Sequence, residues 1–316
     1  MGRLINGTWF TDEDTQGAST DGKYQREPTV FHGTLTEVPA GRFHLWVAHN
    51  CSWSQRLIIA RNLLGNRDHI TQTVAHFRRD DEGWWFPEGA DGFEPNADGR
   101  LHLWKIYVGA DAHYTGRATV PALWDRTEKT IIGNESSELL RQLDSFGVSD
   151  VQLVPEHLRE QIDELNSWIY PQLNNGTYKA GFARTQAAYE EAAHQVFAAL
   201  DRIEGILANQ RYLAGDVLTE ADIRLFPTLV RFDSVYYGHF RCNLRKIVDY
   251  PNLWAYTRDL YATPGIGETV QVEIYKQGYY GNSMSLNPRR YVPLGPIIDW
   301  QAPHDRGSAP AFASRT

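Results

Sequence analysis

The chain has 316 residues, with 31 Lys plus Arg against 39 Asp plus Glu, a formal charge of −8. That sign argues against nucleic acid or an anionic membrane surface as the main partner, and no apolar run approaches the ~18 residues that would span a bilayer. Ten Trp, 16 Tyr and 13 Phe are enough aromatic mass to exclude a disordered chain. At ~100–200 residues per domain the length predicts two domains. The opening MGRLINGTWFTDEDTQ is polar and acidic, unlike a signal peptide, so a reducing, cytoplasmic setting is expected. The two cysteines, Cys51 and Cys242, form no CxxC pair. HExxH is also absent, so neither a disulfide framework nor a metal site is expected.

Residues 1–40 are polar and irregular and read as an arm packed on the surface. In RFHLWVAHN (42–50), Phe43, Leu45 and Val47 alternate with other types, which predicts a strand. A helix follows directly after Cys51, with Trp53, Leu57, Ala60 and Leu64 as its apolar stripe and Gly65 as its stop. His69–Val74 reads as a second strand and 80–100 as a long turn-rich loop. Thr119–Trp124 is a short strand containing Pro121, and Thr130–Ile132 is its partner. Asn134 is placed to cap a helix carrying Leu139, Leu140 and Leu143. This order fits a mixed four-stranded sheet of thioredoxin type over 41–150.

Beyond about residue 150 the period becomes helical. Leu158, Ile162, Leu165 and Ile169 form one stripe; Tyr189, Ala193, Val196, Leu200, Ile203 and Leu207 form another. Thr219 and Asp222 in LTEADI make a capping box. Tyr250-Pro251 opens a further helix. The expected layout is therefore an arm (1–40), a thioredoxin-like domain (41–150), an all-helical domain (151–296) and a loose tail (297–316).

Three features carry chemistry. Cys51 ends a strand and opens a helix, where peptide dipoles favour a thiolate, the species that attacks sulfur. Arg56 and Arg61, on the same helix, add positive potential. Pro121 stands where a thioredoxin-type sheet commonly places a cis proline, which leaves the backbone of Val120 open to an extended peptide ligand. In Asn134-Glu135-Ser136-Ser137, a helix N-terminus and the Ser136 hydroxyl suit a carboxylate. Glu135 suits an ammonium, so together they fit an amino-acid headgroup. Aromatics crowd the helical half (Trp168, Tyr170, Tyr178, Phe182, Tyr236, Tyr237, Tyr279, Tyr280), mostly as core, with a few available to a flat ring.

These residues sit in blocks that resemble a known family. TVPALWD (119–125), NESSE (134–138), NNGTYKAGFARTQ (174–186), RYLAGDVLTEADIRLFPTLVRFD (211–233), GHFRCNLRKI (238–247) and DYPNLWAYTRDLY (249–261) are similar to the glutathionyl-hydroquinone reductases, the Xi class of glutathione transferases. The resemblance implies a glutathione transferase fold and a homodimer. It implies reductive deglutathionylation of glutathionyl-hydroquinones through a Cys51–glutathione mixed disulfide. It further implies that Trp84, Arg117, Val120, Pro121, Glu135 and Ser136 bind glutathione or another low-molecular-weight thiol. Tyr170, Tyr279 and Tyr280 are the candidates for the aromatic quinol conjugate, and Cys242 is structural. The chain departs from the family pattern Cys-Pro-Trp-Ala-His-Arg, reading Cys51-Ser52-Trp53-Ser54-Gln55-Arg56, and has Gly278 where His-Tyr-Tyr is usual. Two other readings share the fold: an omega-like thioltransferase or dehydroascorbate reductase, and a non-catalytic thiol- or ligand-binding protein.

Overall fold

The structure is a computed structural model that describes residues 2–11, 19–307 and 309–315. Met1 and residues 12–18 of the expected arm, and Ser308 and Thr316 of the expected tail, lie outside the described residues.

The central sheet has strands β1 (Phe43–Val47), β2 (Ile70–Val74), β3 (Ala122–Asp125) and β4 (Thr130–Gly133) in the order β2-β1-β3-β4. β1 runs parallel to β2 and antiparallel to β3, and β3 and β4 are antiparallel with a bulge at Leu123/Trp124. All five residues of β1 are buried, not alternate ones. The reason is that both faces of the sheet are covered. Phe43, Leu45 and Val47 pack with Leu57, Ile59, Leu139 and Leu143 of helices α1 (Ser52–Leu63) and α3 (Ser136–Ser145). Trp46 packs on the other side with Phe86, Ile106 and Tyr107.

Ile106 and Tyr107 belong to α2 (Leu103–Ala110), which the sequence pattern does not announce. Its first turn has no acidic residue, and His102 supplies no side-chain cap. Its Leu-Trp-Ile-Tyr-Val content reads equally as strand. Asn134 is not the cap of α3. Its side chain accepts from the Phe31 amide (3.3 Å) and donates to the Tyr107 hydroxyl (3.1 Å). Glu135 is the cap, accepting from the Ser137 amide (3.1 Å) and hydroxyl (2.9 Å).

The rest of the chain is mainly helical: α4 (Arg159–Ile169), α5 (Gly176–Gly181), α6 (Gln186–Leu207), α7 (Glu220–Arg231), α8 (Pro251–Ala262) and α9 (Val272–Asn282). The capping box at α7 is present, and it does more than cap. Asp222 is fully buried; it accepts from the Thr219 amide (2.8 Å), the Thr219 hydroxyl (3.0 Å), the Leu213 amide (2.9 Å) and the Tyr256 hydroxyl (2.7 Å). One carboxylate thus joins the loop before α7, the start of α7, and α8.

Two expectations change. The arm is not wholly irregular: Arg3–Ile5 and Thr8–Phe10 form a hairpin, and Leu4 is fully buried. The tail is not loose. Ala313–Ser314 pairs with Val151–Gln152, Trp300 packs on Trp254 and Tyr261, and Arg306 donates to the carbonyls of Leu207 (3.0 Å), Gln210 and Arg211 (2.7 Å). An arginine that caps several carbonyls at once leaves no periodic trace in sequence. Asp222→Ala strands four buried donors and is expected to cost about 3–5 kcal/mol, read as a lower urea midpoint, with Asp222→Asn costing less.

Candidate active site

The site begins at the C-terminal end of β1. The chain turns there through an amide–carbonyl bond from Cys51 to Ala48 (3.1 Å) and enters α1 with Cys51 as its N-cap in extended geometry. The sulfur takes the place of a capping oxygen. Sγ accepts from the Ser54 amide (3.4 Å) and the thiol donates to the Val120 carbonyl (3.4 Å). The Val120–Pro121 peptide is cis. Cys51 is partly exposed.

The turn is fixed from below by Arg231 of α7, which is fully buried. Its guanidinium donates to the carbonyls of His49 (2.9 Å) and Asn50 (3.4 Å), to Pro227 (2.8 Å) and to the Gln55 side chain, and lies 3.7 Å over the Tyr275 ring. Gln55 in turn donates to the Thr269 hydroxyl (2.9 Å). These are neutral acceptors, so the charge is satisfied without a facing carboxylate.

Cys51 opens onto a cleft of about 500 Å³. One wall is polar and belongs to the sheet half. It holds Val120 and Pro121 of the cis turn, Glu135 and Ser136 at the start of α3, and Trp84, Arg79 and Arg117. Ser136 is buried and accepts from Arg56 (3.3 Å), whose other donors meet the Arg224 carbonyl (3.1 and 3.3 Å). Burial pulls the Arg56 guanidinium down to about 9, still charged at neutral pH. The Arg79 guanidinium lies 5.3 Å from the Trp84 ring centroid, and Arg117 donates to Glu27 (3.2 Å).

The opposite wall is aromatic and belongs to the helical half: Tyr170, Tyr178, Phe182, Phe240 and Tyr279. Their hydroxyls are linked, Tyr178 to Tyr279 at 2.6 Å and Tyr279 to Tyr236 at 3.3 Å. Between the walls stands Trp53. Its ring is flanked by Arg26 (4.9 Å) and Arg56 (4.4 Å) and faces Tyr170 (5.8 Å) and Tyr178 (6.1 Å).

Nine of the ten residues singled out from sequence therefore share one cleft with Cys51 among them. Tyr280 does not. It sits one position, about 100°, around α9 from Tyr279 and packs instead on His239 (4.5 Å) and under Gly238. Arg61 is also corrected. It lies at the far end of α1 and is engaged with the carbonyls of Ile70 and Arg67 (2.8 Å), away from the sulfur. Sequence pattern alone does not mark Tyr24 and Arg26, which lie in an arm without periodicity; in the structure residues 24–30 form part of the cleft lining. It also assigns Trp53 to the core stripe. No periodicity marks such loop residues, although a Tyr-x-Arg pair within a polar arm is a weak signal for a stacked cation. No cluster of metal-ligating side chains is found among the described residues.

Comparison with known proteins agrees with this geometry. Residues 50–145 match the glutathione S-transferase N-terminal domain family and residues 186–259 the C-terminal domain family. The chain is 43% identical to glutathionyl-hydroquinone reductase YqjG of Escherichia coli, over 97% of this chain and 98% of that one. It is 42% identical to glutathionyl-hydroquinone reductase PcpF of Sphingobium chlorophenolicum, over 94% and 96%. Among solved structures, a Xi class transferase from Natrialba magadii superposes with a TM-score of 0.87 at 41% identity, covering 97% of this chain and 96% of that one. The glutathione-bound structure of YqjG gives 0.83 at 40% identity, covering 96% and 99%. With a sheet half and a helical half that meet at an N-capping cysteine, and with matches of this length, the chain belongs to the glutathione S-transferase family and, within it, to the Xi-class glutathionyl-hydroquinone reductases.

Proposed function

We propose that the protein reduces glutathionyl-hydroquinones with glutathione, using Cys51 as nucleophile. The observation that carries this reading is the position of one partly exposed sulfur between two unlike walls, one built for a peptide and the other for a phenol. On the polar wall the Val120-Pro121 backbone takes the cysteinyl unit of glutathione. Glu135 accepts from the γ-glutamyl ammonium, and Ser136, backed by Arg56, donates to the γ-glutamyl carboxylate. Trp84 packs on the tripeptide and Arg117 serves its remaining anionic end. On the aromatic wall Tyr170 and Tyr279 receive the quinol ring.

The chemistry then follows from the sulfur's location. The Cys51 thiolate attacks the glutathionyl sulfur. A sulfur–sulfur bond forms as the ring carbon–sulfur bond breaks, and the bonding pair goes to the ring carbon. That carbon takes a proton and leaves as hydroquinone. A second glutathione thiolate attacks the mixed disulfide, returning the Cys51 thiolate and giving glutathione disulfide. The reading carries with it a thiol-binding domain over 41–150 and a helical domain over 151–296. It also carries a homodimer in a reducing cytoplasm with no nucleic-acid or membrane partner, where both cysteines stay free.

Relatives named omega-like glutathione S-transferases, 37% identical in Schizosaccharomyces pombe and 35% in Saccharomyces cerevisiae, support a second reading as a general thioltransferase. Steady-state assays on glutathionyl-menadiol, a glutathione mixed disulfide and dehydroascorbate separate the two. The thioether is expected to give the highest kcat/KM, and Cys51→Ser is expected to fold and lose at least about 10³-fold of that activity. Preference for the disulfide would favour the second reading. Iodoacetamide on the native protein should alkylate Cys51 and spare Cys242, which is fully buried and whose thiol burial pushes up to about 12. Peptide mass mapping reads the outcome, and saturating glutathione should slow the Cys51 reaction.

A further inference from the structure

Arg26 comes from the arm and lines the cleft. Its guanidinium lies 4.9 Å from the Trp53 ring centroid, 4.8 Å from that of Tyr178 and 5.7 Å from that of Tyr24. Nε donates to the Asn175 side-chain oxygen (2.9 Å). That is the one hydrogen bond it makes among the described residues, and no carboxylate pairs with it there. Nη2 is buried without a partner. An arginine carries five donors, so four of these have no acceptor among the described residues.

Other arginines around the site are engaged. Arg231 donates to three backbone carbonyls and to Gln55, Arg56 to Ser136 and to the Arg224 carbonyl, and Arg117 to Glu27. The three rings around Arg26 offset part of the cost of withdrawing its charge from water, but a ring face does not replace the missing hydrogen bonds. A cation held in this way at a cleft is completed by an electron-rich oxygen of a ligand. Its surroundings select which oxygen. Trp53 and Tyr178, on which it packs, face the aromatic side of the cleft, and Asn175, which holds it, lies at the start of α5 beside Tyr178. The groups suited to the peptide, Val120-Pro121 and Glu135-Ser136, belong to the opposite wall.

We propose that Arg26 receives a phenolic oxygen of the substrate ring and supplies the positive charge against which that ring takes up electrons. In the proposed reaction the carbon–sulfur bonding pair goes to the ring carbon, which then takes a proton. A cation already bonded to a ring oxygen draws off that density and lowers the barrier. Arg26 keeps its protons throughout and forms no covalent bond. The role also defines a substrate class. An aromatic thioether gains from Arg26 when its ring carries an oxygen, and one without an oxygen gains nothing. The inference rests on the proposed quinol site but not on turnover.

The test uses 4-nitrophenol, whose ionisation is read from its phenolate absorption, and nitrobenzene, a neutral ring of similar shape without the phenolic oxygen. Bound to the wild-type protein, 4-nitrophenol is expected to ionise about one pH unit lower than in solution, because the phenolate binds about tenfold more tightly than the phenol. Arg26→Gln should abolish that shift and weaken phenolate binding about tenfold, while nitrobenzene affinity stays within about twofold. Arg26→Lys, which keeps the charge, should retain most of the shift. Near-UV circular dichroism establishes that each variant is folded. A wild-type protein that binds no 4-nitrophenolate would overturn the proposal, as would an unchanged ionisation of the bound ligand in Arg26→Gln. Equal losses for 4-nitrophenolate and nitrobenzene would reduce Arg26 to a packing role and overturn it too. A raised KM for glutathione with phenolate binding intact would place the cation against the thiol instead. Arg26-dependent phenolate binding in a protein that cleaves no glutathionyl-quinol would remove the proposed reaction and leave the oxygen site standing. Full cleavage by Arg26→Gln would do the reverse.

Discussion

The site depends on one buried cation. Arg231 lies under the turn between β1 and α1 and holds the carbonyls of His49 and Asn50, the two residues before Cys51. Those carbonyls are outside regular structure and would otherwise need water. An arginine has five donors in a fixed planar fork, so it can satisfy several carbonyls at once and define their directions. Because Arg231 comes from the helical half, the position of the sulfur is set by the contact between the halves. Gln55 extends the same contact by joining α1 to Arg231 and to Thr269. Rigid placement matters for a reaction in which two sulfurs must meet in line: small errors in position are expensive in rate.

From that anchor the two walls of the cleft acquire different characters for physical reasons. The sheet half offers what a sheet ends in: backbone at a cis turn and a helix N-terminus with a buried hydroxyl. Those groups suit a peptide ligand. The helical half offers side chains from α5, α9 and the turns beside them, and they are aromatic because they also seal the core beneath. Their hydroxyls are joined to one another, which satisfies polar atoms that burial would penalise. Cys51 sits at the seam. Cys242, the other thiol, is enclosed by the core and has no route to any ligand. Burial distinguishes two chemically identical residues in their access to a ligand.

The fold was largely readable from the sequence, because its determinants are local or periodic. The stripes of α4 and α6, the Thr219–Asp222 box and the order of strands around Pro121 all follow from side-chain period and capping chemistry. α2 was not readable, since its aromatic and β-branched content suits strand and helix alike and no cap marks its start. The cleft brings together residues that short motifs mark: Cys51 at a strand-to-helix turn, Val120-Pro121, Glu135-Ser136. Residues that act through long-range stacking carry no such mark. Arg26 reaches Trp53 and Tyr178 from an arm with no periodic signal, and Tyr280 could be told from Tyr279 only once the helix phase was known.

In the proposed reaction the anchored sulfur of Cys51 attacks the glutathionyl sulfur of an aromatic thioether. Intact-protein mass spectrometry after brief incubation with glutathionyl-menadiol, with no free glutathione present, tests it directly. The expected product is a protein one glutathionyl unit heavier, with the added mass on the peptide containing Cys51 and released by added glutathione. Free hydroquinone produced without any such adduct, or an adduct confined to Cys242, would contradict it.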